Sequence, residues 1–90
     1  MDYKKLSQLF KVFSDETRLQ VIDLVKNGDR CACTIINQLP ITQPTLSHHL
    51  KVLSESNITK TSKKGNWKHH HIDNDHIKEM ILYLQSILES

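Results

Sequence analysis

The sequence holds no apolar run approaching the roughly 20 residues that a membrane span needs, and no early apolar stretch resembling a signal peptide. A cytoplasmic chain with no membrane partner is therefore expected. Cysteine is scarce, with Cys31 and Cys33 the only two. Cytosolic thiols are mostly reduced, and neighbours separated by Ala32 alone would close a strained ring, so a structural disulfide is the least expected role for them. Also missing are a Cys-x-x-Cys redox motif, a Gly-rich phosphate loop and paired acids near the thiols, while an activated thiol needs an adjacent base. These absences make a thiol enzyme the weakest reading, and neither an enzyme nor a small-molecule substrate is expected. No repeat, low-complexity tract or linker interrupts the 90 residues. One small domain spanning 1–90 is expected, of a size at which a partner subunit often completes the core.

What is present is an uneven distribution of charge. Residues 30–72 carry six cations (Arg30, Lys51, Lys60, Lys63, Lys64, Lys68) against Glu55 alone, a net +5, while the two flanks carry six cations and nine carboxylates, a net −3. A basic middle between acidic ends suits a face that attracts a polyanion, although such runs also serve simply as solvated surface.

Apolar periodicity divides the chain into helices and one hairpin. "DYKKLSQLFKVFS" places Leu6, Phe10 and Phe13 at helical spacing, with Leu9 alongside. "SDETRLQVIDLVKNG" opens on Ser14 or Asp15 as N-cap, turns Leu19, Val21, Ile22, Leu24 and Val25 inward, and stops at Asn27-Gly28. A short third helix takes "CTIINQL" and ends at Pro40. The fourth starts from Thr42 as N-cap with Pro44 in its first turn, repeats Leu46, Leu50 and Leu53 on one side, and stops at Asn57. "ITKTSKKGNWKHHHID" then alternates with period two around Lys64-Gly65-Asn66, a β-hairpin. The last helix carries a stripe of Ile77, Met80, Ile81, Leu84, Ile87 and Leu88.

The predicted fold is mainly α with a β-hairpin: a winged helix-turn-helix in the order α-α-α-α-β-β-α. The segment 31–57 holds the third and fourth helices and 58–72 the wing. At about 100° per residue the fourth helix buries its leucines and sets Ser47, His48, Lys51 and Glu55 outside, with His49 at the margin. Thr42, Gln43, Thr45, Ser47, His48 and Lys51 thus present polar groups able to reach base edges in double-stranded DNA, and no acid lies between Asp29 and Glu55. Lys63, Lys64, Asn66 and Lys68 on the wing suit phosphate contacts. "HHH" at 69–71 reads as a wing strand rather than a ligand cluster, because His69 and His71 face opposite to His70. Trp67 suits either stacking near the groove or covering the hairpin's inner face.

The last helix's stripe exceeds what a winged helix of this size needs inside. Segments 1–13 and 73–90 are expected to pair across a two-fold axis through Leu6, Phe10, Ile77, Met80, Ile81, Leu84, Ile87 and Leu88, spacing two recognition helices about 34 Å apart, one DNA turn.

These residues resemble the ArsR/SmtB family of metal-responsive repressors, arsenical-resistance branch, over roughly residues 6–72. "FKVFSDETRLQVIDLV" is similar to the family's second-helix signature, "TQPTLSHHLKVL" to its recognition helix and "KKGNWKHHHI" to its wing. The resemblance implies a homodimer that sits on operator DNA and leaves when a toxic metal or metalloid binds. It also implies that Cys31 and Cys33 are the metal ligands, matching the family's Cys-x-Cys at the head of the third helix. Arg30 and Thr34 replace the flanking apolar residue and acid of the usual pattern, and Ile36 stands where some relatives carry a third cysteine.

Soft thiolates select soft ions, so As(III) or Sb(III), and Bi(III) with them, fit as inducer, with a small exogenous ligand completing the shell. Zinc and cadmium prefer about four protein ligands. Thiol oxidation or another soft metal is the alternative trigger. Arg30 beside the pair suits either lowering a thiol pKa or holding a phosphate. Since residues i and i+2 of a helix point about 200° apart, one ion is expected to take both sulfurs only by unwinding the head of the third helix, which turns the recognition helix away from DNA.

Overall fold

The computed structural model describes residues 2–28 and 30–90. Met1, at the head of the segment expected to dimerise, and Asp29, which opens the acid-free stretch, lie outside the described residues. The chain forms α1 (Tyr3–Val12), α2 (Glu16–Val25), β1 (Arg30–Cys31), α3 (Ala32–Ile36), α4 (Gln43–Glu55), β2 (Thr59–Lys64), β3 (Trp67–Ile72) and α5 (Asp75–Leu88). The order is the predicted winged helix-turn-helix with one addition, β1.

Side-chain caps fix three of the helix starts, satisfying amides that have no partner within the helix. Asp2 accepts from the Lys5 N–H (3.1 Å) and Asp15 from the Arg18 N–H (2.9 Å). Thr42 accepts from the Thr45 N–H (3.4 Å), and Pro44 occupies a first-turn position where no amide is needed.

The core gathers Leu6, Leu9 and Val12 of α1, Val21 and Val25 of α2, Ile35 of α3, Leu46, Leu50 and Leu53 of α4, Ile58, and Met80 of α5. Leu19, expected inside, is 45 % exposed. It stands two residues from Val21, hence about 200° around the helix from the side that α2 buries. Apolar residues at 19, 21, 22, 24 and 25 spread too far around one helix for all of them to face the core.

The sheet runs β1-β3-β2 with both pairings antiparallel. At the hairpin tip Lys64 pairs with Trp67 across Gly65-Asn66, and Gly65 has φ 63°, a left-handed conformation natural to glycine at the first position of a two-residue hairpin turn. Between α4 and the wing, Asn57 takes φ 59° and reverses the chain. Ile58 follows, fully buried, donating its N–H to Leu53 O (3.0 Å) and accepting from Asp73 N at its carbonyl (2.9 Å). One residue thus joins the end of α4 to the exit of β3.

Helix α5 packs on α1. Phe10 and Tyr83 rings meet at 6.1 Å, and Lys5 reaches Glu79 at 3.3 Å. Leu6 and Met80, expected at a subunit interface, are instead buried in the chain's own core, and Phe10 and Ile77 are half-buried against it. The stripe divides at Met80. Beyond it Ile81, Leu84, Ile87 and Leu88 remain 48 %, 48 %, 53 % and 86 % exposed.

Candidate functional site

Cys31 and Cys33 are joined by a disulfide, with Cα atoms 5.3 Å apart. This corrects two expectations, that a bridge is the least expected role and that the sulfurs diverge on one helix. The reason is local. Cys31 is not helical: its backbone is extended (φ −86°, ψ 155°) as the N-cap of α3, and only Cys33 lies in the helix. Two residues on either side of a helix start can turn their side chains to one point, so convergence needs no unwinding. Thr34, which stands in place of the acid, donates its hydroxyl to Cys31 O (2.9 Å) and pins this corner.

Strand β1 explains why Cys31 is extended. Arg30 pairs with His70 and Cys31 with His69, tying the thiol corner to the wing. Arg30 donates its Nε–H to Leu24 O (3.1 Å), a carbonyl in the last turn of α2, where a cation is favoured. Cys31 is buried and Cys33 exposed. Ile36 packs against the core where a third cysteine would stand. Among the described residues no group of three or more His, Cys, Asp or Glu side chains is placed to hold a metal ion.

The two cysteines open onto a cleft of about 570 Å³ between α3, α4 and β3. Gln43, Ser47, Lys51 and Ser54 line it from α4, and Trp67, Lys68 and His70 from the wing. Ala32 and Leu50 supply apolar floor. Four residues expected to meet DNA, Gln43, Ser47, Lys51 and Lys68, therefore share one cavity with both sulfurs. Trp67, which sequence reasoning could not assign, is 62 % exposed at its edge.

Thr42, Thr45 and His48 are also exposed on α4, and Lys63, Lys64 and Asn66 on the wing. The Thr42 hydroxyl donates to that of Thr45 (3.0 Å), so these two form one polar knob at the helix start. Lys51 pairs with Glu55 at 3.9 Å, an exposed contact of little strength. Lys63 and Lys68 are direct cross-strand partners. Like charges placed opposite each other on a hairpin are destabilising, and an anion lying along the wing relieves them.

The histidines divide by burial. His70 is buried with its Nδ1 unpartnered among the described residues, and His69 and His71 are half-buried on the other face of the strand. Burial, helped by Lys68 and the neighbouring imidazoles, holds the His70 pKa below the ordinary histidine value. His49, expected at the margin, is 7 % exposed, and its Nδ1 lies 3.3 Å from an Arg18 guanidinium nitrogen. Arginine can only donate, so His49 Nδ1 is the acceptor and the ring is neutral. Desolvation lowers its pKa, and Arg18 and His48 add to the effect while Asp15 opposes it.

No helix among the described residues is long and apolar enough to cross a membrane. The pattern of the family described as bacterial regulatory protein, arsR family, matches residues 15–61, which span α2 through α4 into β2. An uncharacterized HTH-type transcriptional regulator of Methanocaldococcus jannaschii is 44 % identical over 80 residues, 88 % of this chain and 90 % of that one. An arsenical resistance operon repressor of Staphylococcus aureus is 39 % identical over 90 residues, 100 % of this chain and 86 % of that one. In fold, the homodimeric winged helix-turn-helix DNA-binding domain of a possible ArsR-family regulator from Mycobacterium bovis aligns with TM-score 0.75 at 19 % identity, covering 96 % of this chain and 80 % of that one. With a recognition helix, a wing and a Cys-x-Cys corner in place, the chain belongs to the ArsR/SmtB family, beside its arsenical-resistance repressors, and is a DNA-binding transcriptional regulator rather than an enzyme.

Proposed function

We propose that the protein is a metalloid-responsive repressor of the cytoplasm, which binds operator DNA as a homodimer and leaves it when As(III) or Sb(III) takes Cys31 and Cys33. The observation that carries this reading is the shared cleft: both sulfurs and the α4 row Gln43, Ser47 and Lys51 line the same cavity. The donor set fits a soft trivalent ion, since two reduced sulfurs able to meet at one point supply a two-sulfur site with room for one exogenous ligand. Such an ion supplies thiophilic bonding and nothing else. Coupling to DNA then runs by two routes. Cys31 is paired into the wing and Cys33 rides on α3, which packs on α4, so a bound ion fixes wing against helix. It also occupies space beside groups that face the duplex. Release follows only if the ion favours the DNA-free arrangement over the bound one.

The DNA face in this reading comprises Thr42, Gln43, Thr45, Ser47, His48 and Lys51 of the reading helix, with Lys63, Lys64, Asn66 and Lys68 on phosphates. Homodimerisation is supported by the exposed half of the α5 stripe and by the homodimeric relative of the same fold.

A second reading uses the same sulfurs as a redox trigger, and the Cys31–Cys33 disulfide favours it. Titrating reduced, DNA-bound protein with arsenite and with peroxide separates the two. Metalloid sensing predicts release by arsenite in the wild type and retention in Cys31→Ser/Cys33→Ser. Equal release of that double variant by arsenite overturns the assignment, and release by peroxide alone establishes the redox reading in its place.

A further inference from the structure

We infer that the cleft between α4 and the wing seats the sugar-phosphate backbone of one DNA strand, with the Trp67 indole packed on a deoxyribose between phosphates held by Lys51 and Lys68. This deepens the DNA-face reading above and rests on it, adding Trp67 and Ser54 to that face.

The inference begins with where apolar surface is left bare. Among the described residues, every large apolar side chain that stays exposed lies on α1, α2 or α5, with one exception. Trp67 alone stands on the part of the chain proposed to meet DNA, 62 % exposed at the first residue of β3. An indole so placed gains by being covered, and its flat apolar face suits a ring. Its neighbours set the chemistry of whatever covers it. Lys68 follows it in the strand, Lys64 stands opposite it in register, and Lys51 lines the same cleft from α4. Gln43, Ser47 and Ser54 add uncharged donors, and among the described residues no carboxylate lines the cavity. Glu55 meets Lys51 only in the exposed 3.9 Å contact, which a phosphate displaces at little cost.

Cations beside an indole select among anions. A small free anion would use the lysines and leave the ring bare. A nucleic-acid backbone uses both, because it alternates a charged phosphate with an apolar sugar face, as the cleft alternates ammonium groups with an apolar ring. The cleft also lies between α4 and the wing, the two parts proposed to grip the duplex, and the strand that runs from one to the other has to cross it. Its volume of about 570 Å³ leaves room for a sugar with its flanking phosphates. Packing an uncharged ring on an uncharged sugar releases no counterions, so the Trp67 contact differs in kind from the lysine contacts: it adds affinity equally at low and high salt.

Trp67 is the only tryptophan, so its emission reports on this contact. The test uses the full chain, reduced and free of metalloid, with an end-labelled DNA duplex of mixed sequence and about 30 base pairs, long enough for both halves of the proposed dimer. Anisotropy gives the affinity across a salt series, and Trp67 emission is read in parallel under acrylamide. The duplex should shield Trp67 from the quencher, and inorganic phosphate should not. Trp67→Ala should weaken binding about tenfold at every salt concentration with the slope of log K against log salt unchanged, and Trp67→Phe should recover most of the loss. Lys68→Ala should instead reduce that slope by about 0.9 per contact in each subunit. If the duplex binds but Trp67 stays open to the quencher, or Trp67→Ala binds as wild type does or alters the slope, the sugar contact is overturned while the DNA face stands. Equal shielding by inorganic phosphate overturns it in favour of a simple anion site. If Lys51→Ala and Lys68→Ala both keep the wild-type slope, the DNA face itself falls.

Discussion

Cys31 stands opposite His69 in the antiparallel register of β1 and β3, so the thiol corner is held by the wing as well as by the helix it caps. The two sulfurs therefore play unequal structural parts. Cys31 is 8 % exposed and Cys33 lies at the surface. Under reducing conditions Cys31→Ser should lower stability by about 1–2 kcal/mol, because it buries a hydroxyl in an apolar setting. Cys33→Ser should stay within about 0.5 kcal/mol of wild type. Both should lose arsenite-triggered release to the same degree. Urea unfolding curves and DNA titrations read the two effects separately, and equal stability losses would contradict the burial difference.

Lys63 and Lys68 face each other across the hairpin. Removing one should move stability and DNA binding in opposite directions. Lys63→Ala should stabilise the subunit by about 0.2–1 kcal/mol by ending the repulsion. The same change should weaken binding alike on all DNA sequences and reduce the slope of log K against log salt by about 0.9 per contact in each subunit. Thermal unfolding and a salt series of binding isotherms test the pair; a sequence-dependent loss would place Lys63 on a base instead.

Acid should destabilise the fold. His49 and His70 both have pKa values lowered below 6.5, chiefly by desolvation. As pH falls through about 6.5 the unfolded chain takes protons that these native imidazoles refuse, so stability is lost from there down to the native pKa values and is fully present above. Protonation of His49 also removes the acceptor that Arg18 uses. Urea midpoints at pH 7.5 and 5.5 should differ in that sense, and His70→Asn should flatten the dependence. Greater stability at pH 5.5 would refute it.

The exposed half of α5 makes its own prediction. Leu84→Asp adds a charge where the side chain is 48 % exposed in the single chain, so the subunit should keep its fold and circular dichroism. The proposed dimer should dissociate, because a charge placed in an interface formed by this stripe would be left desolvated and unpaired. Sedimentation of wild type and variant at micromolar concentration is the measurement. An unchanged sedimentation coefficient would remove α5 from the interface.

Much of this was legible in residue order. The Thr42 cap, Pro44 and the Leu46, Leu50, Leu53 spacing carry enough local information to place the reading helix within a residue of its observed start. The hairpin declared itself through period-two alternation around Gly65. What escaped was tertiary in origin. β1 is two residues long and exists because β3 lies beside it, so no periodicity in Arg30-Cys31 announces it. That short strand draws Cys31 out of the helix and reverses the geometry expected of the thiols. Likewise Leu6 and Met80 bear the same apolar pattern as the exposed Ile81 and Leu84, and only the packing of α1 on α5 reveals that the chain buries them in its own core. Trp67 is placed at the cleft by the register of the sheet, which one strand alone does not specify.

Ile58 couples helix α4 to the wing. Its amide is tied to the last turn of α4 and its carbonyl to the exit of β3, and its side chain is wholly sealed from water. Helix α4 and the wing, the two parts proposed to grip the duplex, are fastened to each other at this one residue. In the proposed repressor a displacement of either part would pass to the other through that residue, so helix and wing are expected to quit the duplex in one motion.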